Sequence, residues 1–561
     1  MFLPTTRKEM KQLQWANLDI ILVSGDTYID SPYIGVSVIG QVLVKAGYKV
    51  GIIAQPDINR SKDICRLGEP RLFWGVTAGS VDSMIANYTA TGKKRKKDDY
   101  TPGGINNRRP DRATIVYTNL IKQNFKKTKP IVLGGIEASL RRLAHYDFWD
   151  NRIRRSILFD SKSDFLVYGM AEKSILLLAD HLSRQESVQN IPGICYISNE
   201  PGEKSLILPS FSEVKQDKKK FIHMFHMFYQ NQDPFLGKTL AQKQDERYLI
   251  QNPPSYPLSQ KELDDIYALD YKQEVHPYYR KGGAVRALDT IKFSLTSHRG
   301  CFGECNFCAI SVHQGKIIQS RSEKSMIREV KKLTMEKDFK GYILDVGGPT
   351  ANMYGMGCTG KLQGGHCREK RCLFPSVCAN LSRNHQPQIR LLRKIRKIKG
   401  IKKVFVASGI RYDLVMEDKK YGENYLKEVI LHHVSGQLKI APEHIEEKIL
   451  ALMGKGDNHH LAGFKKIFDR ISHQAGSKQY LTYYFIAAHP GCREEDMILL
   501  KQFINRELHI KPEQVQIFIP APSTYSAVMY YTGENPFNGD PVFVEKKIKN
   551  KEKQKKLITN S

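Results

Sequence analysis

The sequence predicts an α/β protein, in which a doubly wound domain (residues 1–200) precedes a partial parallel (β/α)6 barrel (286–525). An irregular connector (201–285) joins the two, and a basic, disordered tail (526–561) ends the chain. Three observations carry this reading. At 561 residues the chain exceeds what a single hydrophobic core holds. Short apolar runs alternate with amphipathic segments in two separate series, the pattern of strands and crossover helices in parallel sheets. Between the series, prolines and charge runs break the rhythm.

In the first series, "LDIILVSGD" reads as a strand ending in a turn. "YIGVSVIGQVLVKAG" has helical spacing, with Ile34, Val38 and Val42 on one face and a stop at Gly47. "YKVGIIAQP", "RLFWGVT", "KPIVLGG" and "SDFLVYG" supply further strands. Ligands of doubly wound sheets bind beyond the carboxyl ends of strands, where "SGDTYIDSPYIG" and "GGIEASLRR" fall. The connector contains "FSEVKQDKKKF" and "QNPPSYPLSQ", whose prolines enforce extended backbone. The second series runs through "IKFSLT", "GYILDVGG", "KKVFVASG", "QLKIAPE", "QYLTYYFI" and "EQVQIFIPA". Helices such as "EKSMIREVKKLTME" and "LAGFKKIFDRISHQ" lie between them. Six strand–helix units imply a parallel barrel or part of one, with chemistry at the carboxyl ends of its strands.

Hydrophobic residues (41%) and aromatics (10%) suffice for buried cores. No stretch reaches the ~18 uncharged apolar residues of a membrane span. The N-terminal "MFLPTTRKEMKQLQW" lacks an apolar signal core, so a cytoplasmic protein with no membrane partner is expected. The formal charge of +29 includes "KKRKK" at 93–97, "KKK" at 218–220 and the tail from Glu545 to Lys556. A solvated surface and a disordered tail account for such runs, and an RNA footprint is the alternative. No aromatic residue lies between Glu545 and Lys556, so the tail has no stacking platform, and no motif supports RNA. Glu137 and the arginines Arg141, Arg142, Arg152, Arg154 and Arg155 either bind an anionic substrate or form interdomain salt bridges.

Seven of the ten cysteines fall between Cys301 and Cys378, which points to metal binding in a reducing compartment rather than a disulfide framework. "SHRGCFGECNFC" sets Cys301, Cys305 and Cys308 directly after the first barrel strand, spaced C-x3-C-x2-C. Three thiolates in so tight a loop suit one iron–sulfur cubane and leave its fourth iron open. Gly300 and Gly303 let backbone amides turn toward the anionic sulfurs. A Cys305–Cys308 redox pair would leave Cys301 idle. A zinc site would need a fourth ligand, with His298 and His313 nearest.

The stretch "SHRGCFGECNFCAISVHQGKIIQSRS" resembles the YgiQ family of radical SAM proteins. So do "GGPTANMYGMGC", "ASGIRYDL", "LKIAPEH" and "FIAAHPG", and at the front "VSGDTYIDSPYIGVSVIG" and "GGIEASLRRLAHYDFWDNRIRRSILFD". The resemblance spans nearly the whole chain except the lysine tail. It implies a radical SAM barrel behind a cobalamin-binding-like front domain. It also implies a [4Fe-4S] cluster on Cys301, Cys305 and Cys308 that cleaves S-adenosylmethionine to a 5'-deoxyadenosyl radical. Phe307 matches the position that packs near the adenine. Gly347 and Gly348 match the glycine pair that meets the SAM amino group through backbone; Pro349 follows in place of the usual acidic residue. Ser408 and Arg411 meet the ribose or carboxylate, or are satisfied loop residues. An electron donor of flavodoxin or ferredoxin type is implied, and the substrate is unknown. RNA modification of the methylthiotransferase kind is the alternative, but only Cys65 and Cys195 precede Cys301 where that type carries three further cysteines. A non-catalytic iron–sulfur protein for RNA binding or electron transfer is the other alternative; the intact Gly347–Gly348 pair argues against it.

The insertion at 349–388 is too long for a simple βα connection and is expected to cover the barrel mouth. Its Cys358, Cys367, Cys372 and Cys378, with His366 spare, are expected to hold an auxiliary iron–sulfur cluster or zinc. "GMGCTG" mimics a dinucleotide fingerprint but does not lie between a strand end and a helix start. The histidine-on cobalamin motif D-x-H-x-x-G reads here "DSPYIG", with Pro32 at the histidine position. Proline has no lone pair for cobalt, so the sequence argues against cobalamin.

Overall fold

The computed structural model describes residues 1–365, 367, 371–476 and 478–559. The chain forms two compact units, one of Met1–Pro257 with Asp265–Lys292, the other of Leu258–Asp264 with Phe293–Ser561.

The first unit is built on a sheet of nine strands among the described residues. Its parallel heart runs, in spatial order, Val50–Ala54, Ile20–Ser24, Phe73–Thr77, Ile131–Leu133 and Phe165–Val167. Ile20 lies opposite both Val50 and Phe73. Ile20–Ser24 and Val50–Ala54 are buried on both faces, which is why they are near-continuous apolar runs, IILVS and VGIIA, rather than alternating ones. Helix Gly35–Lys45 buries Val38 and Val42, with Ile34 at its N-cap, and the chain turns at Gly47 with φ +97°.

Residues 201–285, expected to be an irregular connector, extend this unit. Leu206–Leu208, Leu240–Gln244 and Arg247–Gln251 continue the sheet beyond the antiparallel strand Ile194–Ser198. The hairpin between Gln244 and Arg247 turns on Asp245 at φ 54°, a conformation aspartate tolerates. The lysine run is the exposed first turn of helix Lys218–Gln230, capped by Asp217, whose inner face buries Phe221, Met224, Phe225 and Phe228.

Among the described residues the second unit carries six parallel strands in chain order, the second of them in two pieces, Tyr342–Ile343 and Asp345–Gly347. Ser294–Thr296 pairs with Asp345–Gly347, and Tyr342–Ile343 with Lys403–Val404. Val346 N donates to Phe405 O and Ile410 N to Lys439 O, carrying the pairing on to Gln437–Glu443. Tyr480–Ala487 and Gln514–Ile517 follow. Leu295, Val346, Val404, Ile440, Phe485 and Val515 from these strands share one core with the surrounding helices. This is a partial parallel barrel.

The tail expected to be disordered carries helices within its described residues, which run to 559. Tyr525–Thr532 is a buried helix, and Ile548–Thr559 is a second. Lys551, Gln554 and Ile558, three and four residues apart, form the buried face of that last helix. Gln554 Oε1 accepts from Ala488 N at 2.9 Å, and Lys551 Nζ donates to the Tyr530 hydroxyl at 2.8 Å. Among the described residues no helix is long and apolar enough to cross a membrane.

Candidate functional site

The cysteine loop leaves the first barrel strand through Gly300, at φ +84°, where a Cβ would stand 2.1 Å from Ile317 O. Only glycine fits both the angle and the space. Asn306 then staples the loop: its N–H donates to Met453 O at 2.8 Å, its side chain to Leu452 O at 2.9 Å, and its carbonyl accepts from Ser526 N at 2.9 Å. Glu304 and Lys316 form a buried pair at 2.7 Å. Burial alone would raise the Glu304 carboxyl; Lys316, with Lys361 and Arg371 nearby, outweighs it and holds the group at about 2.

So fixed, the three half-buried thiols lie close enough to act on one another electrostatically. Gly303 N donates to Cys301 Sγ at 3.4 Å, and Arg411 Nη1 lies 3.9 Å from Cys305 Sγ. A Cβ on Gly303 would come within 3.3 Å of both Cys301 Sγ and Arg411 Nη1 and 3.9 Å of Cys305 Sγ. Burial pushes the Cys301 and Cys308 thiols up. These sulfurs therefore need a cation to become thiolates, and Arg411 supplies only part of that charge. The donor set, three thiols on one loop beside the Arg411 guanidinium, fits an iron–sulfur cluster. A cubane spreads its ligands over separate irons, whereas a single zinc draws them to one point.

Gly347 and Gly348 are glycines for lack of room. A Cβ on Gly347 would stand 2.5 Å from Ser408 Oγ, and one on Gly348 would stand 2.5 Å from the His298 ring. His298 is fully buried, its Nδ1 is 2.9 Å from Ser297 Oγ, and burial pulls its pKa down to about 4. Asp345 accepts from Ala407 N at 2.8 Å, Ser408 N at 3.2 Å and the Ser408 hydroxyl. Ser408 is thus engaged by Asp345. Arg411 is paired through Nε with Asp413 at 3.0 Å, and its backbone N donates to Asn352 Oδ1 at 2.8 Å. Burial disfavours the guanidinium charge, but Asp413 outweighs that and raises its pKa further.

Sequence reasoning assigned no role to Glu443, His444 and His489, at the ends of the fourth and fifth strands. Glu443 is buried at φ 68°; burial raises its carboxyl pKa against the pull of Lys455 and Arg411. His489 meets the Phe307 ring edge-to-face at 6.3 Å and its Nε2 lies 2.7 Å from Ser526 Oγ. Burial drops His489 to about 3 and His444 to about 4. The barrel rule for strand ends marks these positions, and "LKIAPEH" and "FIAAHPG" contain them.

In the insertion, Cys358 caps the helix Thr359–Gly364, and Cys378 N donates to Cys372 O at 2.8 Å. Cys372 is buried with Phe302, Leu373, Leu381 and Leu414, and Cys301 and Cys378 pack against that cluster. Cys367 is exposed. His366 lies outside the described residues. The front-domain arginines, expected to meet an anion or another domain, have partners within their own unit. Arg141 pairs with Asp82, Arg154 with Asp160, and Arg152 with Asp150. Arg155 pairs with Asp160 and Asp245. Arg142 stacks its guanidinium on Tyr168 and Phe228, while Glu137 accepts from Ser83 N and Thr114 N.

The family model for the radical SAM N-terminal domain matches residues 2–294. A UPF0313 protein of Fusobacterium nucleatum is 56% identical over 559 residues, covering 100% of this chain and 98% of that one. A UPF0313 protein of Thermotoga neapolitana is 51% identical over 561 residues, with the same coverage. Among solved structures, the chain is similar to the radical S-adenosylmethionine methyltransferase TsrM from Kitasatospora setae, bound to its tryptophan substrate and a SAM analogue. That match has TM-score 0.50 at 14% identity and covers 90% of this chain and 75% of TsrM. The cobalamin-dependent SAM radical enzyme OxsB, with aqua-cobalamin, matches with TM-score 0.51 at 12% identity over 93% of this chain and 56% of OxsB. These likenesses are of fold. They overturn the expectation against cobalamin, since the enzymes that share the fold are structures with cobalamin bound. One missing axial histidine is a property of a single ligation mode and was too narrow a ground for it.

Proposed function

Because this chain belongs to the UPF0313 family, the YgiQ-type radical SAM proteins, we propose that it is an enzyme whose Cys301, Cys305 and Cys308 hold a site-differentiated [4Fe-4S] cluster. When bound, that cluster supplies reductive cleavage of S-adenosylmethionine to methionine and a 5'-deoxyadenosyl radical that abstracts hydrogen from a substrate. The observation that carries this reading is the three-thiol loop after the first barrel strand, with Arg411 Nη1 at 3.9 Å from Cys305 Sγ.

The residues then divide the work. Arg411, held by Asp413, places a permanent positive charge beside sulfur and offsets the anionic ligands. At the second strand end Gly347 O already accepts from Ser297 N and Ser297 Oγ, so the backbone of the partly exposed Gly348 is the part of the pair that would meet the amino group of SAM. Ser408 holds the third loop in place through Asp345. Phe307 and His489 provide an aromatic wall for a nucleobase. Glu443, whose pKa burial raises, offers a proton-holding carboxyl at the fourth strand end. A one-electron donor of flavodoxin or ferredoxin type completes the system. The fold of the chain is similar to those of TsrM and OxsB, which are structures with cobalamin bound, and Pro32, which has no donor lone pair, would not be among the residues holding a corrinoid here.

Anaerobic reconstitution with iron and sulfide, followed by reductant and SAM, tests the reading. Loaded wild type is expected to release 5'-deoxyadenosine and methionine, and C301A to release neither. Absence of 5'-deoxyadenosine from cluster-loaded wild type, or its retention by C301A, refutes the assignment. Corrinoid extracted from protein expressed with cobalamin decides the front-domain question on the same material.

A further inference from the structure

Apart from the cysteines, the segment after the fourth barrel strand brings two imidazoles to a carboxylate. His459 and His460 open the helix His459–Gln474, and Glu417 closes the helix Tyr412–Glu417. One ligand atom from each of Glu417, His459 and His460 lies within 4.8 Å of the other two. His460 Nε2 is 2.8 Å from Glu417 Oε1, and the two rings stand 3.8 Å apart at 46°. Arg383 Nη1 donates to Glu417 Oε2 at 3.3 Å, so Oε1 is the oxygen turned to the histidines.

A glutamate beside one histidine would be an ordinary surface pair. Two features go further. Asp457 Oδ1 is bonded to His459 Nδ1. An imidazole whose Nδ1–H is taken by a carboxylate presents Nε2 as a lone pair, the arrangement in which metal-bound histidines are oriented. The two arms of the group are also tied together beside it. The Tyr412 hydroxyl bonds Asn458 Oδ1, and Asn458 Nδ2 donates to His444 O. Glu417 and the histidine pair are therefore held near each other before anything binds.

We propose that Glu417, His459 and His460 form a binding site for a borderline divalent transition ion such as Zn2+, with Asp457 orienting His459. Two imidazoles and one carboxylate select Zn2+, Co2+ or Ni2+ over Mg2+ and Ca2+, which prefer oxygen ligands throughout. Zinc–ligand bonds of about 2.0–2.2 Å need the three atoms somewhat closer than 4.8 Å, a change that rotation of the exposed His459 side chain provides. Water takes the remaining position. The ion clamps the loop after the fourth strand to the helix whose N-cap is Arg411, so its role is to steady one edge of the cysteine site from outside it.

The test uses the full-length reduced chain, washed with chelator and titrated with Co2+. Cobalt on thiolates gives sulfur-to-metal charge-transfer absorption in the near ultraviolet, whereas cobalt on this site gives visible bands without it. Wild type is expected to take up one equivalent of the second kind, displaced by Zn2+. The H459A/H460A variant and E417Q should lose it while the thiolate-bound equivalents stay constant, which also reports an intact fold. D457N should weaken it about 10–100-fold, the usual effect of removing a ligand's orienting partner. If wild type lacks this equivalent, or H459A/H460A retains it at unchanged affinity, the proposal is wrong.

Discussion

Replacing Gly348 by alanine tests whether the glycine pair is set by close approach. Neither Gly347 nor Gly348 has a left-handed φ, so backbone freedom is not the reason for them. A Cβ on Gly348 would lie 2.5, 2.6 and 2.9 Å from three atoms of the His298 ring. Carbon pairs rest at about 3.5–4.0 Å, so the intrusion is about 1 Å. The ring has nowhere easy to go: His298 is fully buried, bonded to Ser297 Oγ, and its backbone pairs with Ser320. Overpacking a closed site costs about 1–3 kcal/mol, and a rigid ring places G348A near the upper end. For a domain of this size, ~2–3 kcal/mol lowers the melting temperature by about 5–10 °C. The control is a double-mutant cycle with H298A, which removes the obstructing ring. G348A should cost ~2–3 kcal/mol with His298 present and under ~1 kcal/mol without it. An equal cost in both backgrounds refutes the contact as the reason for the glycine. Yield of 5'-deoxyadenosine should fall in G348A and recover in part in the double variant.

Replacing Lys316 by methionine leaves buried Glu304 without its 2.7 Å ion-pair partner and should cost about 3–5 kcal/mol in urea unfolding; a loss under 1 kcal/mol would show that Lys361 and Arg371 suffice. Glu304 is held at about 2, below the ~4.3 of an unfolded glutamate, so its contribution is full above pH ~4.3 and is lost as pH falls toward 2; E304Q should flatten that limb. His298, His444 and His489 are pulled down to about 4, 4 and 3, so the unfolded chain takes protons first. Stability should therefore be full above pH ~6.5 and decline below it, and a melting temperature that stays level from pH 7.5 to 5 would contradict the burial of these rings. Ile558→Ala should cost about 2–5 kcal/mol, because Ile558 is fully buried, where a disordered tail would register no change at all.

What the sequence made legible is what local pattern encodes. Ile20–Ser24 and Val50–Ala54 are buried on both faces, so apart from the terminal Ser24 their residues are apolar and the strands can be read directly. The cysteine spacing was equally local. The helix Lys218–Gln230 is present as a pattern too: Phe221, Met224, Phe225 and Phe228 recur at helical spacing behind an Asp217 cap, and the lysine run that forms its first turn masks that period. The last helix is different in kind. Its buried face is Lys551, Gln554 and Ile558, and two of those are polar, so no hydrophobic period announces it; only Tyr530 and Ala488, distant in sequence, give these side chains partners.

The same division runs through the site, and Arg411 shows its consequence. The sequence left it between a ligand contact and a satisfied loop residue, as though one excluded the other. Asp413, two residues on, engages its Nε edge, while Nη1 remains 3.9 Å from Cys305 Sγ. A guanidinium has donors on two edges, so one can be spent on holding the side chain still while the other faces the sulfurs. Ser408 has a single hydroxyl proton, and with Asp345 accepting it, its contribution is to position the loop. Donor count and the location of the partner decide between the two outcomes. The first is written in the residue type; the second depends on which strand end the fold sets beside it.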